Sequence, residues 1–375
     1  MRRAPLALSV LLLAATVGCP ATGAAADPAA TGGPLLAGRG VVVPPGAPAL
    51  PRDLTARGWL VADLDTGAVL GARDPHGRYL PASTLKTLTA LTLLPRLTDR
   101  HRVVRASVAD STIDGTRVGL VPNGRYRIEM LFQCLLMMSG NDCASALAEA
   151  NGGVPLTVAE MNAEARRLHA DDTYAATPSG LDGTGQATSA YDLALIMRQA
   201  VAIPDFRRYN TTRMSTVPAQ SSRYRSYQFA NDNKLLWRYP GVLAAKNGYT
   251  DAARHTFVAV VQRGSRRLVV SLLHGEQAPL PMWRQAAQLV EWGARTTTPV
   301  GQLVNPGPPG APGAATSPPA GGAAGDASGG HPGTGDRRWL PIGLAVGGVA
   351  LVAILAARRR RPPHWRPQRP GSPRR

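Results

Sequence analysis

Lysine is nearly absent from this chain. Of 42 lysines and arginines, three are lysine: Lys86, Lys234 and Lys246. Arginine keeps its proton in proteins, whereas lysine can lose it. The three retained lysines are therefore candidates for places that need an ammonium or a free amine. Cysteine is equally scarce, with three residues. Cys19 falls in a segment read below as removed, which leaves Cys134 and Cys143. No Cys/His set has metal-ligand spacing, so no metal and no cofactor are expected. In an exported protein the two cysteines form either a disulfide or a pair of buried thiols, since they flank an apolar helix. Aromatic residues make up 5% of the chain. The net charge of +18 raises nucleic-acid binding as a function. However, eight of those charges lie in the last eighteen residues, and no basic stripe is interleaved with aromatics. Nucleic acid is not an expected partner. The seven histidines are accompanied by no Gly-x-Ser-x-Gly elbow, which argues against a Ser-His-Asp hydrolase of that type.

The order of segments describes an exported protein. Residues 1–26 read as a signal peptide: Arg2 and Arg3 lead, Ala4 to Val17 is apolar, and Ala24-Ala25-Ala26 offers small residues for cleavage. Thr16-Val17-Gly18-Cys19 partly matches a lipoprotein cleavage site, with Thr16 where leucine is usual. Residues 27–56, rich in Pro, Gly and Ala, are expected to be a flexible lead-in, and residues 57–299 the folded domain. Residues 300–338 form a Pro/Gly/Ala linker, about 30–40 Å across as a coil. Residues 339–357 are uncharged and long enough to cross a bilayer. Residues 358–375 are an arginine-rich tail whose charge belongs in the cytoplasm, which places the domain outside the cell. No Leu-Pro-x-Thr-Gly wall-sorting signal precedes the apolar stretch.

Within the domain, Gly58 to Leu64 and Ala68 to Leu70 read as strands around a turn at Asp65-Thr66-Gly67. Helices are expected near 83–94, 130–138, 144–150, 156–168, 191–201 and 282–293. A hairpin is expected over 256–273. Strands at both ends with helices between them predict an α+β domain with one largely antiparallel sheet and a helical lobe.

Ser83 and Lys86, in Pro81-Ala82-Ser83-Thr84-Leu85-Lys86, are three residues apart at a helix start, so their side chains share a face. Serine becomes a nucleophile when a neighbour takes its proton. A lysine does this when burial and nearby cations lower its pKa. Two further motifs follow, Ser139-Gly140-Asn141 and Lys246-Asn247-Gly248-Tyr249-Thr250. Their order resembles the penicillin-recognising serine acyl-transferases, with Ser-x-x-Lys, Ser-x-Asn and Lys-Thr-Gly, and within them the D-alanyl-D-alanine carboxypeptidases. Thr177-Pro178-Ser179-Gly180-Leu181-Asp182 and Asn231-Asp232-Asn233 belong to the same resemblance, which covers about residues 57–293.

The resemblance implies a DD-peptidase/β-lactamase-like fold with the active site between sheet and helical lobe. It implies that Ser83 attacks an amide carbonyl and Lys86 takes its proton. Lys246 would help keep Lys86 neutral and attract an anionic substrate end. Ser139 would relay a proton to the leaving amine, and Asn141 would orient Lys86 and the substrate. The N–H groups of Ser83 and Tyr249 would hold the oxyanion, with Gly248 permitting close approach. The implied partners are a peptidoglycan stem peptide ending in D-Ala-D-Ala, β-lactams as covalent inhibitors, and the membrane through the C-terminal helix.

Two positions depart from the pattern. Asn247 stands where threonine is usual, with the Thr250 hydroxyl nearby. Asp232 stands where some relatives carry an arginine that approaches the substrate carboxylate. The alternatives are a D,D-endopeptidase using the same residues, a class A-like β-lactamase, and a wall-binding or penicillin-sensing protein that has lost catalysis. No Glu-x-x-x-Asn loop supports the β-lactamase. Trp283 and Trp292 are expected to be packing residues.

Overall fold

The computed structural model describes residues 31–305. The signal peptide, the apolar 339–357 stretch, the arginine tail and most of the linker lie outside the described residues. No helix among the described residues is long and apolar enough to cross a membrane.

The described residues open with a 3-10 turn over Pro34–Ala37 and strands β1 (Val41–Val42), β2 (Gly58–Asp63) and β3 (Ala68–Arg73). A 3-10 turn over Ala82–Leu85 leads into α1 (Lys86–Leu93), followed by β4 (Val103–Arg105), α2 (Val108–Thr112) and β5 (Arg125–Arg127). The helical lobe continues with α3 (Ile128–Met137), α4 (Asn141–Ala150), α5 (Val154–Arg167), α6 (Ala190–Ala200) and α7 (Pro204–Thr211). Then come the ribbon β6 (Met214–Val217) and β7 (Tyr227–Ala230), and the short α8 (Lys234–Arg238). Strands β8 (Val242–Thr250), β9 (Arg254–Arg263) and β10 (Arg266–Gly275), helix α9 (Met282–Arg295) and β11 (Gly301–Gln302) complete the unit.

The main sheet runs β1-β3-β2-β10-β9-β8, with β11 also on β3, and every pairing is antiparallel. The expected α+β architecture is what the chain forms. Both faces of the sheet are covered, so its strands are apolar on both sides rather than alternating. Leu60, Ala62, Val258 and Val260 pack with the helical lobe. Trp59, Val61, Phe257 and Ala259 pack with α9. This split follows the two-residue period of a strand. On the α9 side Trp292 sets its ring edge-on to Trp59, centroids 6.4 Å apart.

The boundaries differ from expectation at both ends. Residues 31–56, expected as part of a flexible lead-in, belong to the folded unit. β1 pairs with β3, Leu36 is fully buried, and Trp292 Nε1 donates to the Pro48 carbonyl at 2.8 Å. Beyond residue 299, β11 pairs with β3 and Leu303 is fully buried. Pro and Gly deny these segments a core of their own, but an edge strand and a 3-10 turn tolerate both residues when the rest of the domain supplies the partner surface.

Candidate active site

Ser83 and Lys86 meet at a joint. Ser83 lies in the 3-10 turn, where residues three apart eclipse one another, and Lys86 begins α1. Ser83 Oγ is 2.9 Å from Lys86 Nζ. The residue before the serine, Ala82, holds a left-handed φ of 48°, a conformation that costs a non-glycine residue about 1–3 kcal/mol. The Pro81 carbonyl anchors this turn, accepting from Thr84 Oγ1 at 2.5 Å and Thr256 Oγ1 at 2.8 Å.

Lys86 is fully buried. Its nitrogen lies 2.7 Å from Asn141 Oδ1 and 2.5 Å from the Ser179 carbonyl. Both of those atoms only accept. A neutral amine has two N–H donors and one lone pair. With the donors given to Asn141 and Ser179, the lone pair is left for the Ser83 hydroxyl. Burial, and after it the Lys246 ammonium, hold the Lys86 pKa well below the ordinary lysine value. The same three contacts would satisfy an ammonium, so it is the lowered pKa that selects the neutral amine, the state of a general base.

Two loops hold those acceptors. Asn141 Nδ2 donates to the Asp114 carbonyl at 2.7 Å, which fixes which end of its amide faces Lys86. The neighbouring Asp142 accepts from the backbone N–H groups of Val118, Gly119 and Leu120, and so ties the 114–120 loop to α4. Ser139 has a left-handed φ of 62°, and its buried Oγ has no partner. On the other side Gly180 passes the nucleophile's turn so closely that a Cβ there would stand 1.9 Å from the Ala82 carbonyl oxygen.

The third motif lies on β8, an edge of the sheet, so alternate backbone groups are free of β9. Lys246 is buried and its Nζ donates to the Asn247 carbonyl at 2.7 Å. Burial lowers its pKa, opposed by the charge of Asp232. A Cβ on Gly248 would meet Thr256 Oγ1 at 2.5 Å and the Ser83 backbone nitrogen at 2.7 Å. Only glycine allows the strand to lie this close to the nucleophile. Asn247 Oδ1 has no partner, and its Nδ2 is 3.5 Å from Asp232.

A cleft of about 370 Å³ opens over these residues, lined among others by Ser83, Ser139, Asn247, Gly248 and Tyr249. Of the remaining predicted residues, Lys86, Asn141 and Lys246 stand behind the lining. The Thr250 hydroxyl donates to Asp182 Oδ1 at 2.9 Å and accepts from the Ala253 N–H. It therefore joins β8 to the 177–182 loop. Trp283 packs, half-buried, against the α9-side core as expected and also lines the cleft, and Trp292 is a core residue as expected. Cys134 and Cys143 are buried free thiols, which settles that choice against the disulfide. The roles of the Ser179 carbonyl and of Thr116 at the cleft wall had no signal of their own in the sequence. A backbone acceptor carries no residue type, and Gly180 was the visible trace of that approach.

A serine in contact with a buried lysine beside a β-edge is the arrangement of the penicillin-recognising acyl-transferases, and the fold and cleft place this protein in that class. Within it the chain belongs to the peptidase S11 family, whose model, described as D-alanyl-D-alanine carboxypeptidase, matches residues 45–277. It is 43% identical over 256 residues to the D-alanyl-D-alanine carboxypeptidase DacB2 of Mycobacterium tuberculosis, covering 67% of this chain and 86% of that protein. It is 31% identical over 274 residues to DacD of Salmonella typhimurium, covering 69% of this chain and 67% of that protein. A solved D-alanyl-D-alanine carboxypeptidase from Mycobacterium tuberculosis matches with a TM-score of 0.66 at 42% identity, over 70% of this chain and 100% of that one. The Streptomyces K15 DD-transpeptidase shares the fold, with a TM-score of 0.61 at 22% identity over 66% of this chain and 99% of that one.

Proposed function

We propose that this serine-type carboxypeptidase removes the terminal D-alanine from peptidoglycan stem peptides through an ester on Ser83. The observation that carries the roles is the placement of Lys86, fully buried with its amine 2.9 Å from Ser83 Oγ and its pKa held well below the ordinary lysine value by burial and by Lys246. Ser83 Oγ adds to the penultimate D-alanine carbonyl as its proton passes to Lys86. The N–H groups of Ser83 and Tyr249 stabilise the oxyanion, a contribution on the order of 10²–10³ in rate per donor. The C–N bond breaks as the unpartnered Ser139 hydroxyl hands its proton to the leaving amine and takes up the proton held by Lys86, which leaves Lys86 neutral again. Water, deprotonated by Lys86, then hydrolyses the ester and restores Ser83. A β-lactam enters the first half of this sequence and acylates Ser83.

We further propose that the domain works outside the cell, tethered through residues 339–357, with the arginine tail in the cytoplasm. The signal-like residues 1–26 and the basic flank at 358–361 support this reading.

The test is the full chain with a fluorescent penicillin and a D-Ala-D-Ala peptide, run beside Ser83→Ala. Penicillin label on Ser83 together with D-alanine release supports the carboxypeptidase. Label without release points to an endopeptidase or a sensor, and no label at all rejects the acyl-enzyme. Retention of the chain in the membrane pellet after alkaline extraction, lost on deleting residues 339–375, tests the tether.

A further inference from the structure

A free C-terminal carboxylate lies one residue, about 3.5 Å, beyond the scissile carbonyl, and a binding site for it needs a positive charge or strong donors. The residues beside Gly248 at that end of the cleft do not supply one. Asn247 is neutral, and Asp232, 3.5 Å from its amide, is an anion. Lys246 is buried, and its ammonium is engaged by the Asn247 carbonyl. Arg254 is held by both carboxylate oxygens of Glu276, each at 2.8 Å. Burial lowers the pKa of His255, which leaves the ring neutral at pH 7.

One full positive charge remains among the described residues that line the cleft: Lys234. It is exposed, follows Asp232 by two residues, and makes no hydrogen bond or ion pair among the described residues. It also faces an adjoining groove of about 670 Å³ lined by Trp237, Arg238, Trp283 and Arg284, with no acidic residue in its wall. It is also one of only three lysines beside 39 arginines, and the other two stand at the nucleophile.

We infer that Lys234 is the specificity-determining cation that receives the substrate's terminal carboxylate. Asp232 plays the opposite part, discouraging the carboxylate from settling beside Lys246 and turning it toward Lys234. This rests on the carboxypeptidase reading of the same cleft.

The experiment compares kcat/KM of the full chain for a peptide ending in D-Ala-D-Ala with that for its C-terminal amide. The wild type is expected to favour the free acid. Lys234→Met is expected to cut the acid-to-amide ratio about 10-fold or more, the loss of one charge-assisted contact, mostly through KM. Lys234→Arg is expected to restore most of the ratio. Loss of a folding contact would lower both substrates together and leave the ratio unchanged. An unchanged ratio in Lys234→Met, or a wild type indifferent to the amide, overturns the assignment while leaving the carboxypeptidase standing. A wild type that hydrolyses neither peptide overturns both.

Discussion

Gly248 and Ser83, from opposite ends of the domain, lie so close that a methyl group on the first would stand 2.7 Å from the backbone nitrogen of the second. This contact sets the spacing between the β8 edge and the nucleophile. Gly248→Ala is expected to push the strand away and slow acylation by penicillin on the order of 100-fold, through the oxyanion site. Second-order labelling rates check this, and labelling at the wild-type rate would refute it.

The pH profile follows from the Lys86 amine. The reaction needs it neutral, so kcat/KM rises with pH through its pKa, which lies well below the ordinary lysine value, and levels off above it. Lys246→Met removes the second cause of that depression, so the acidic limb should move to higher pH. Lys86→Arg cannot act as a base, and a loss on the order of 10²–10⁴ is expected. Rate profiles for the three proteins test both statements.

Gly180 and Gly264 form a matched pair. Both have positive φ, 82° and 60°, but a Cβ on Gly180 meets the Ala82 carbonyl at 1.9 Å whereas one on Gly264 meets nothing within 4 Å. Gly264→Ala should cost about 1 kcal/mol of backbone strain and leave acylation intact. Gly180→Ala should lower both the melting temperature and the acylation rate. Equal effects of the two changes would show that the close approach to Ala82 is unimportant.

A His76 cluster at the start of the domain should make stability fall as pH rises. Its Nδ1 is 2.9 Å from Asp172 and its Nε2 is 3.0 Å from the Thr31 carbonyl. Two acceptors satisfy the ring fully only as imidazolium. Burial lowers the His76 pKa, but the Asp172 hydrogen bond and charge outweigh it, so the net shift is upward. That contribution is present below about 6.5 and disappears as pH rises through the folded value. Burial pushes Asp192 up to about 7. The folded state then binds that proton more tightly than the unfolded state, and this contribution fades between about pH 4 and 7. Both run in one direction. Melting temperatures from pH 5 to 8 should decline less in Asp192→Asn and His76→Gln than in the wild type.

The two domain cysteines should be silent. Cys134 and Cys143 are buried and unpaired, and burial raises the Cys143 thiol well above its ordinary pKa. A thiol reagent should modify them only after denaturation, and rapid native reaction would contradict that placement.

Ser83, Lys86, Ser139, Asn141, Lys246 and Gly248 were legible in the sequence because their chemistry depends on residue type and their order along the chain is informative. The antiparallel sheet and the long helices were legible from periodicity. Composition misjudged the segments at both ends, since β1 and β11 draw their stability from β3 rather than from their own apolar content. That Trp283 lines the cleft as well as packing was not visible, because both are consistent with a tryptophan in an amphipathic helix.

By itself the sequence determined which groups can do chemistry: a serine, three lysines that can lose a proton among arginines that cannot, and glycines where backbones must touch. Tertiary structure alone decided the state of those groups. The Lys86 pKa falls well below the ordinary lysine value because the fold buries the amine and β8 brings a second ammonium, while α4 brings Asn141 and the 177–182 loop a carbonyl to the same site. Proton affinity depends on solvation and on charges within a few ångströms, and those distances do not exist until the chain has folded.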